Sequence, residues 1–340
     1  MHNDTGESGF SLAEAMIAIA LTLIVISGAV ETMGRSMALA TTSRVMSSTN
    51  HGLQAAMSLM VRDFMQTGQG IPLGGIPLPS GTGALEVMRP GPSITGTFGA
   101  SATAVPALLP GNGLGPTLLG VDTDITSVLY VDRTLAIGEN NLVSIAADGS
   151  TMTVSDLTPV TGVGGIRAGD LILFVNPYGS ALQMVTENAT SQTVTFGASD
   201  VMRLNQRGSA TAGTLTQLQD SPGVFPLTTA TRVLMVTYYV DVLTDPGLPR
   251  LVRRVNMGDR LAIAMGVENL QITYDLVDGV TNPTNVATPA TENSANQIRK
   301  ANLFMSARSQ DINPQTRQYF RNSMATQVGL RSLSFVDRYW

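Results

Sequence analysis

Apolar positions along the chain follow three different patterns. From Phe10 to Val30 almost every position is apolar, and Ala15–Val30 (AMIAIALTLIVISGAV) carries no charge at all. The 21 residues Phe10–Val30 would make a helix roughly 31 Å long, close to the thickness of a membrane hydrocarbon core. Past that run the pattern turns amphipathic. Leu53, Met57, Met60, Val61 and Phe64 recur at helical spacing and form one stripe. No proline precedes Pro72, so the spacing predicts a single helix over 10–67, stopped by Gly68 and Gly70. Thr41–Asn50, rich in Ser and Thr, is its weakest helix-forming stretch.

The third pattern is short runs between turn residues. Residues 68–120 hold 13 Gly and 8 Pro and read as loop. Thereafter segments rich in β-branched and aromatic residues follow one another at short spacing. They are Thr126–Asp132, Leu142–Ala147, Thr151–Leu157, Asp170–Asn176, Ala181–Glu187, Gln192–Gly197, Arg232–Val242, Arg250–Asn256, Asn269–Val277 and Arg299–Ser309, with Val328–Phe335 closing the chain. No helical crossovers separate them, so the sheets should be mostly antiparallel. The fold class is α+β: a long N-terminal helix, its first half (about 10–31) transmembrane, packed on a β-rich head spanning 68–340.

Composition narrows the function. Charged residues are 13% of the chain and the net charge is −5, with Lys300 the single lysine, so no basic run can neutralise a phosphate backbone and no nucleic-acid partner is expected. Cysteine is absent and only His2 and His51 occur. Thiolate chemistry, Cys-based metal sites and a Ser-His-Asp triad have nothing to be built from. We expect no enzyme, no cofactor and no resident metal. Gly111–Gly115 (GNGLG) lacks the Lys-Ser/Thr ending of a phosphate loop. Asp122, Asp124 and Asp148 could supply oxygen ligands to calcium, but loop aspartates commonly serve as turn formers. Arg250, Arg253, Arg254, Asp259 and Arg260 read as a solvated strand face or a subunit contact.

The N-terminus carries the most specific signal. A secretory signal peptide would have a basic leader and a cleavage site directly after the apolar run. Here Met1–Gly9 has no Lys or Arg, and the nearest A-x-A, Ala38–Ala40, lies well beyond Val30. A plain anchor leaves Glu14 unexplained, because an unpaired carboxylate in lipid costs several kcal/mol. Gly9-Phe10-Ser11-Leu12-Ala13-Glu14, followed at once by the apolar run, resembles the processing site of type IV prepilins and type II secretion pseudopilins. The resemblance implies a leader over 1–9, cut between Gly9 and Phe10 by a dedicated prepilin peptidase, with the new Phe10 amine methylated. It makes Glu14 the glutamate at mature position five. That carboxylate could pair with the amine of a neighbouring subunit, or lie in the headgroup zone and snorkel. The leader carries Asp4 and Glu7, so membrane orientation rests on the motif rather than on charge.

Three C-terminal blocks sharpen the likeness. Gly266–Tyr274, Ile298–Arg308 and Tyr319–Arg331 resemble the head of PilW-type minor pilins, and less closely J-type secretion pseudopilins. The implied function is a minor structural subunit acting in assembly, initiation or the tip of a type IV pilus. Its partners would be other pilins, the prepilin peptidase and inner-membrane lipid. It would sit single-pass in the inner membrane before assembly, then in the pilus with its head on the periplasmic or extracellular side. The alternatives are a type II secretion minor pseudopilin, or a tip adhesin with an exposed aromatic or apolar patch on the head away from the helix.

Overall fold

Helix α1 runs unbroken from Leu12 to Gln66, 55 residues or about 83 Å. The computed structural model describes residues 11–333 apart from 93–95, 100–101, 134, 136–141, 156–159, 163, 209, 211, 278, 290–296 and 314. Ser11 starts the helix with a capping box. Its hydroxyl accepts the Glu14 amide (3.2 Å), while the Glu14 carboxylate accepts the Ser11 N–H (3.0 Å). At the other end Thr67 leaves helical geometry, and Gly68 and Gly70 adopt φ of 82° and 72°, a conformation that costs a side chain energy. The Gly68 N–H then bonds the Leu129 carbonyl (2.8 Å), which turns the chain into the head.

The strands longer than two residues are β1 (Thr126–Val131), β2 (Leu142–Ile145), β3 (Thr151–Val154), β4 (Leu171–Asn176), β5 (Gly179–Met184), β6 (Thr193–Thr195), β7 (Thr229–Asp241), β8 (Arg250–Val255), β9 (Arg260–Met265), β10 (Val267–Leu276), β11 (Ile298–Ile312) and β12 (Tyr319–Gly329). Every pairing among them is antiparallel, as the short connections predict. The largest sheet is organised around β7. At Val233 that strand pairs both Val131 of β1 and Leu171 of β4, and at Val236 both Val128 of β1 and Val255 of β8. Thus β1 follows one edge of β7 while β4 and β8 succeed one another along the other.

This fork separates two cores. Leu171 and Leu173 of β4, with Val233, Met235 and Leu251, join the main core that also takes in α1 and the sheet β10-β11-β12. Ile172 and Phe174, on the opposite face of β4, enter a second core with Met152 and Val194 of the small sheet β6-β3-β2 and with Phe196 just past β6. Phe174 and Phe196 meet edge to face there, centroids 5.6 Å apart. No residue of α1 belongs to that second core.

Three sequence readings change. Residues 68–120 are more than a loop: they include two-residue strands at Ile76–Pro77, Ala104–Val105 and Leu108–Leu109 and place Ile76, Leu78, Val105 and Leu108 in the main core. Strand β9 (RLAIAM) went unread because Ala, Leu and Met favour helix; pairing with β8 overrides that preference. The last described strand is Tyr319–Gly329, and Arg331–Leu333 form a short 3₁₀ turn where the expected strand Val328–Phe335 would run; Ser334 and Phe335 lie outside the described residues. The three C-terminal blocks thereby fold together, as the single sheet β10-β11-β12.

Candidate functional site: the exposed helix and its junction with the head

Helix α1 divides into two halves of opposite surroundings. Every residue from 11 to 37 is exposed. Ile24 is 67% and Val25 69% accessible, so an apolar cylinder projects from the head with no protein cover. It is the one helix, among the described residues, long and apolar enough to cross a membrane. Its three hydroxyls between Ala15 and Thr32 bond the helix's own carbonyls. Thr22 donates to the Ala18 carbonyl (2.7 Å), Ser27 to Ile24 (2.8 Å) and Thr32 to Gly28 (2.8 Å). The first charges after the run, Glu31 and Arg35, pair with each other one turn apart at 2.5 Å. The same back-bonding holds Thr41, Thr42 and Thr49 to the carbonyls four residues earlier, and the helix continues through the stretch of weak propensity.

Of the residues singled out in the sequence, Gly9 and Phe10 lie outside the described residues. Glu14 is exposed on the first turn, where its carboxylate accepts the backbone N–H and, at 3.1 Å, the hydroxyl of Ser11. In the single chain, therefore, this carboxylate caps its own helix. That is a third role beside the two read from the sequence.

The second half of α1 docks through Leu53, Ala56, Met57, Met60 and Phe64, all buried; Val61 is half-buried at the margin. Within this stripe sits a carboxylate that the sequence reading passed over. Asp63 has no exposed surface. It accepts from the Tyr238 hydroxyl (2.5 Å), the Tyr130 hydroxyl (3.2 Å) and the Arg253 Nε (2.7 Å), with the Arg62 Nε at 3.7 Å. Its three close donors come from β1, β7 and β8, so one helical side chain is bound to three neighbouring strands of the main sheet. Burial, and then the charge of Asp63, push the Tyr130 hydroxyl up to about 12 and that of Tyr238 higher still. Burial alone would lower Arg253, but its hydrogen bond to Asp63 and the carboxylate's charge outweigh this and raise it. The signal in the sequence was a lone acid beside Met60 and Phe64 on an apolar stripe, a position that demands a buried cation or hydroxyls.

The other candidate charges serve the fold. Arg250 bonds Asp241 (3.0 Å), Arg253 turns inward to Asp63, and Arg254 is buried and donates to the Met257 and Gly258 carbonyls; only Asp259 and Arg260 remain exposed. The expected solvated face is thus mostly internal. Asp124 accepts the Gly113 N–H (2.8 Å) and the Ile272 N–H (2.7 Å), tying the GNGLG segment to β10. Burial raises its carboxyl above the usual range. Gly111 admits no side chain: a Cβ there would lie 2.2 Å from the Ile125 carbonyl and 2.4 Å from the Arg89 guanidinium. Asp148 forms a turn with the Ser150 N–H (2.9 Å). The chain matches no family model, no curated protein and no solved structure.

Proposed function

We propose that the chain is a pilin-like subunit, a minor pilin of the PilW type that enters a type IV pilus after prepilin processing. The observation that supports this reading is the division of one continuous helix. Residues 11–37 are exposed and largely apolar, whereas the stripe Leu53, Ala56, Met57, Met60 and Phe64 is buried in a β-rich head. Such a half can rest only in lipid or among like helices, and a subunit that moves from one to the other needs both surroundings to be apolar.

In this account the peptidase removes residues 1–9 and Phe10 receives a methyl group on its amine. The carboxylate of Glu14, which in the isolated chain accepts the Ser11 N–H, then takes the cationic amine of a neighbouring subunit. A charge that opposes burial in lipid becomes a contact that sets register inside the fibre.

The test is the N-terminus of the assembled protein. Fibres sheared from cells should yield an intact mass beginning at methylated Phe10, and Gly9→Leu should accumulate in the membrane beginning at Met1. Glu14→Gln should be cleaved normally yet reach sheared fibres roughly tens-fold less than the parent, the size expected for losing an ion pair in an apolar setting. Fibres retaining Met1 would sink the processing claim. Normal fibre levels of the Gln variant would remove Glu14 from assembly.

A further inference from the structure

The sheet β10-β11-β12 turns one face to the core and leaves the other open. Along β10, Leu270, Ile272, Tyr274 and Leu276 point inward, and the residues between them point out. From the register, the rows between Asn269 and Asp275 on this outer face carry one carboxylate, Asp275, and one ammonium, Lys300, directly opposite each other. The rest is amide, hydroxyl and small side chains, with a single aromatic, Phe304, 36% exposed in the middle strand.

The amides are held in place. Asn302 donates from Nδ2 to Asp275 Oδ1 (2.9 Å) and Asn285 Oδ1 (3.1 Å). Gln327 donates from Nε2 to Asp275 Oδ2 (3.1 Å) and Asn302 Oδ1 (2.8 Å). The Asn285 N–H also bonds Asp275 Oδ1 (3.0 Å). Asp275 is therefore satisfied by neutral donors and calls for no cation. Among the described residues, Gln327 Oε1 and Asn285 Nδ2 make no hydrogen bond, leaving one acceptor and one donor turned to solvent. One row along, about 7 Å away, Phe304 lies opposite Ala325, whose methyl group leaves room beside the ring.

A rigid aromatic flanked by pre-oriented amides, on a face with no net charge, complements a ligand that is neutral, rich in hydroxyls and apolar on one side. Phosphate, carboxylate or a basic peptide would meet a repelling charge beside the attracting one, since Lys300 and Asp275 lie directly opposite each other, and the whole chain carries −5. We infer that this face binds a neutral glycan, one sugar ring lying on Phe304 and hydroxyls of the chain meeting the amides of Asn285, Asn302 and Gln327. Because the amides are ordered before binding, little side-chain entropy is lost. This goes beyond the assembly role and is independent of it, since binding by the purified chain requires neither cleavage nor a fibre.

The experiment uses the full chain in a sugar-free detergent, titrated with neutral hexasaccharides of gluco, manno and galacto configuration and with sulfated counterparts. At least one neutral member should bind, with an affinity unchanged between low and high salt. Phe304→Ala and Asn302→Ala should each weaken it about tenfold. Ala325→Trp, which fills the space beside the ring at an exposed position, should do the same with an unchanged unfolding midpoint. The inference is overturned if no neutral member binds, if binding survives these substitutions, or if only the sulfated sugars bind and salt displaces them.

Discussion

The two halves of α1 share one backbone and one helix type, yet they solve opposite problems. Leu53–Phe64 is amphipathic, and its apolar stripe is buried against β-sheet. Residues 15–30, in the exposed stretch 11–37, carry no charge on any side and are covered by no other part of the described residues. The comparison teaches that apolar content alone does not place a helix in a core. A stripe matches a single flat sheet, whereas a uniformly apolar cylinder matches a solvent that surrounds it. The hydroxyls fit the same contrast: Thr22, Ser27 and Thr32 bond their own helix, while Asp63 reaches across to three strands.

Removing the exposed half should produce the largest change. A chain lacking 10–41 keeps every buried residue of the junction, so it should be recovered without detergent with an undiminished unfolding midpoint. Aggregation of that fragment under all conditions would break the division drawn here. Next in size is the junction itself. Asp63→Ala leaves Arg253 buried without its carboxylate and should destabilise the head by about 3–5 kcal/mol in denaturant unfolding.

Alkaline pH should loosen the same junction more gently. The folded Tyr130 hydroxyl titrates at about 12 against an ordinary 10.0. A raised folded value means the stabilisation is complete below pH 10 and lost as pH climbs toward 12. A Tyr130→Phe variant should show a weaker loss over that interval in thermal unfolding. The smallest effect belongs to the exposed half: Ile24→Ala should leave head stability within about 0.5 kcal/mol of the parent. A larger loss there would show that the two halves are coupled.

Much of this arrangement is legible in residue order because it is local. A charge-free run, a stripe at helical spacing, the absence of proline before Pro72 and the glycine pair at its end define α1 to within a residue or two of Leu12–Gln66. Alternation and short connections define most strands and their antiparallel sense. Where local preference and tertiary pairing disagree, the reading fails. Strand β9 is written in helix-forming residues, and the core residues around Ile76 and Val105 sit among glycines and prolines whose order comes from distant partners.

Charge shows the boundary most clearly. Arg250, Arg253 and Arg254 lie within five positions of one another and look alike in the chain. Yet one pairs with Asp241, one crosses to Asp63 on α1, and one donates to nearby carbonyls. Neighbours on a strand face opposite sides of the sheet, so adjacent residues meet different solvents, and which partner waits on each side is decided by the packing of elements far apart in sequence. The residue order by itself determined that the molecule has an apolar helical arm and a β-rich head. Only the tertiary structure decided that Asp63 joins them, because a buried carboxylate is tolerable only where three strands bring two hydroxyls and a guanidinium to the same point.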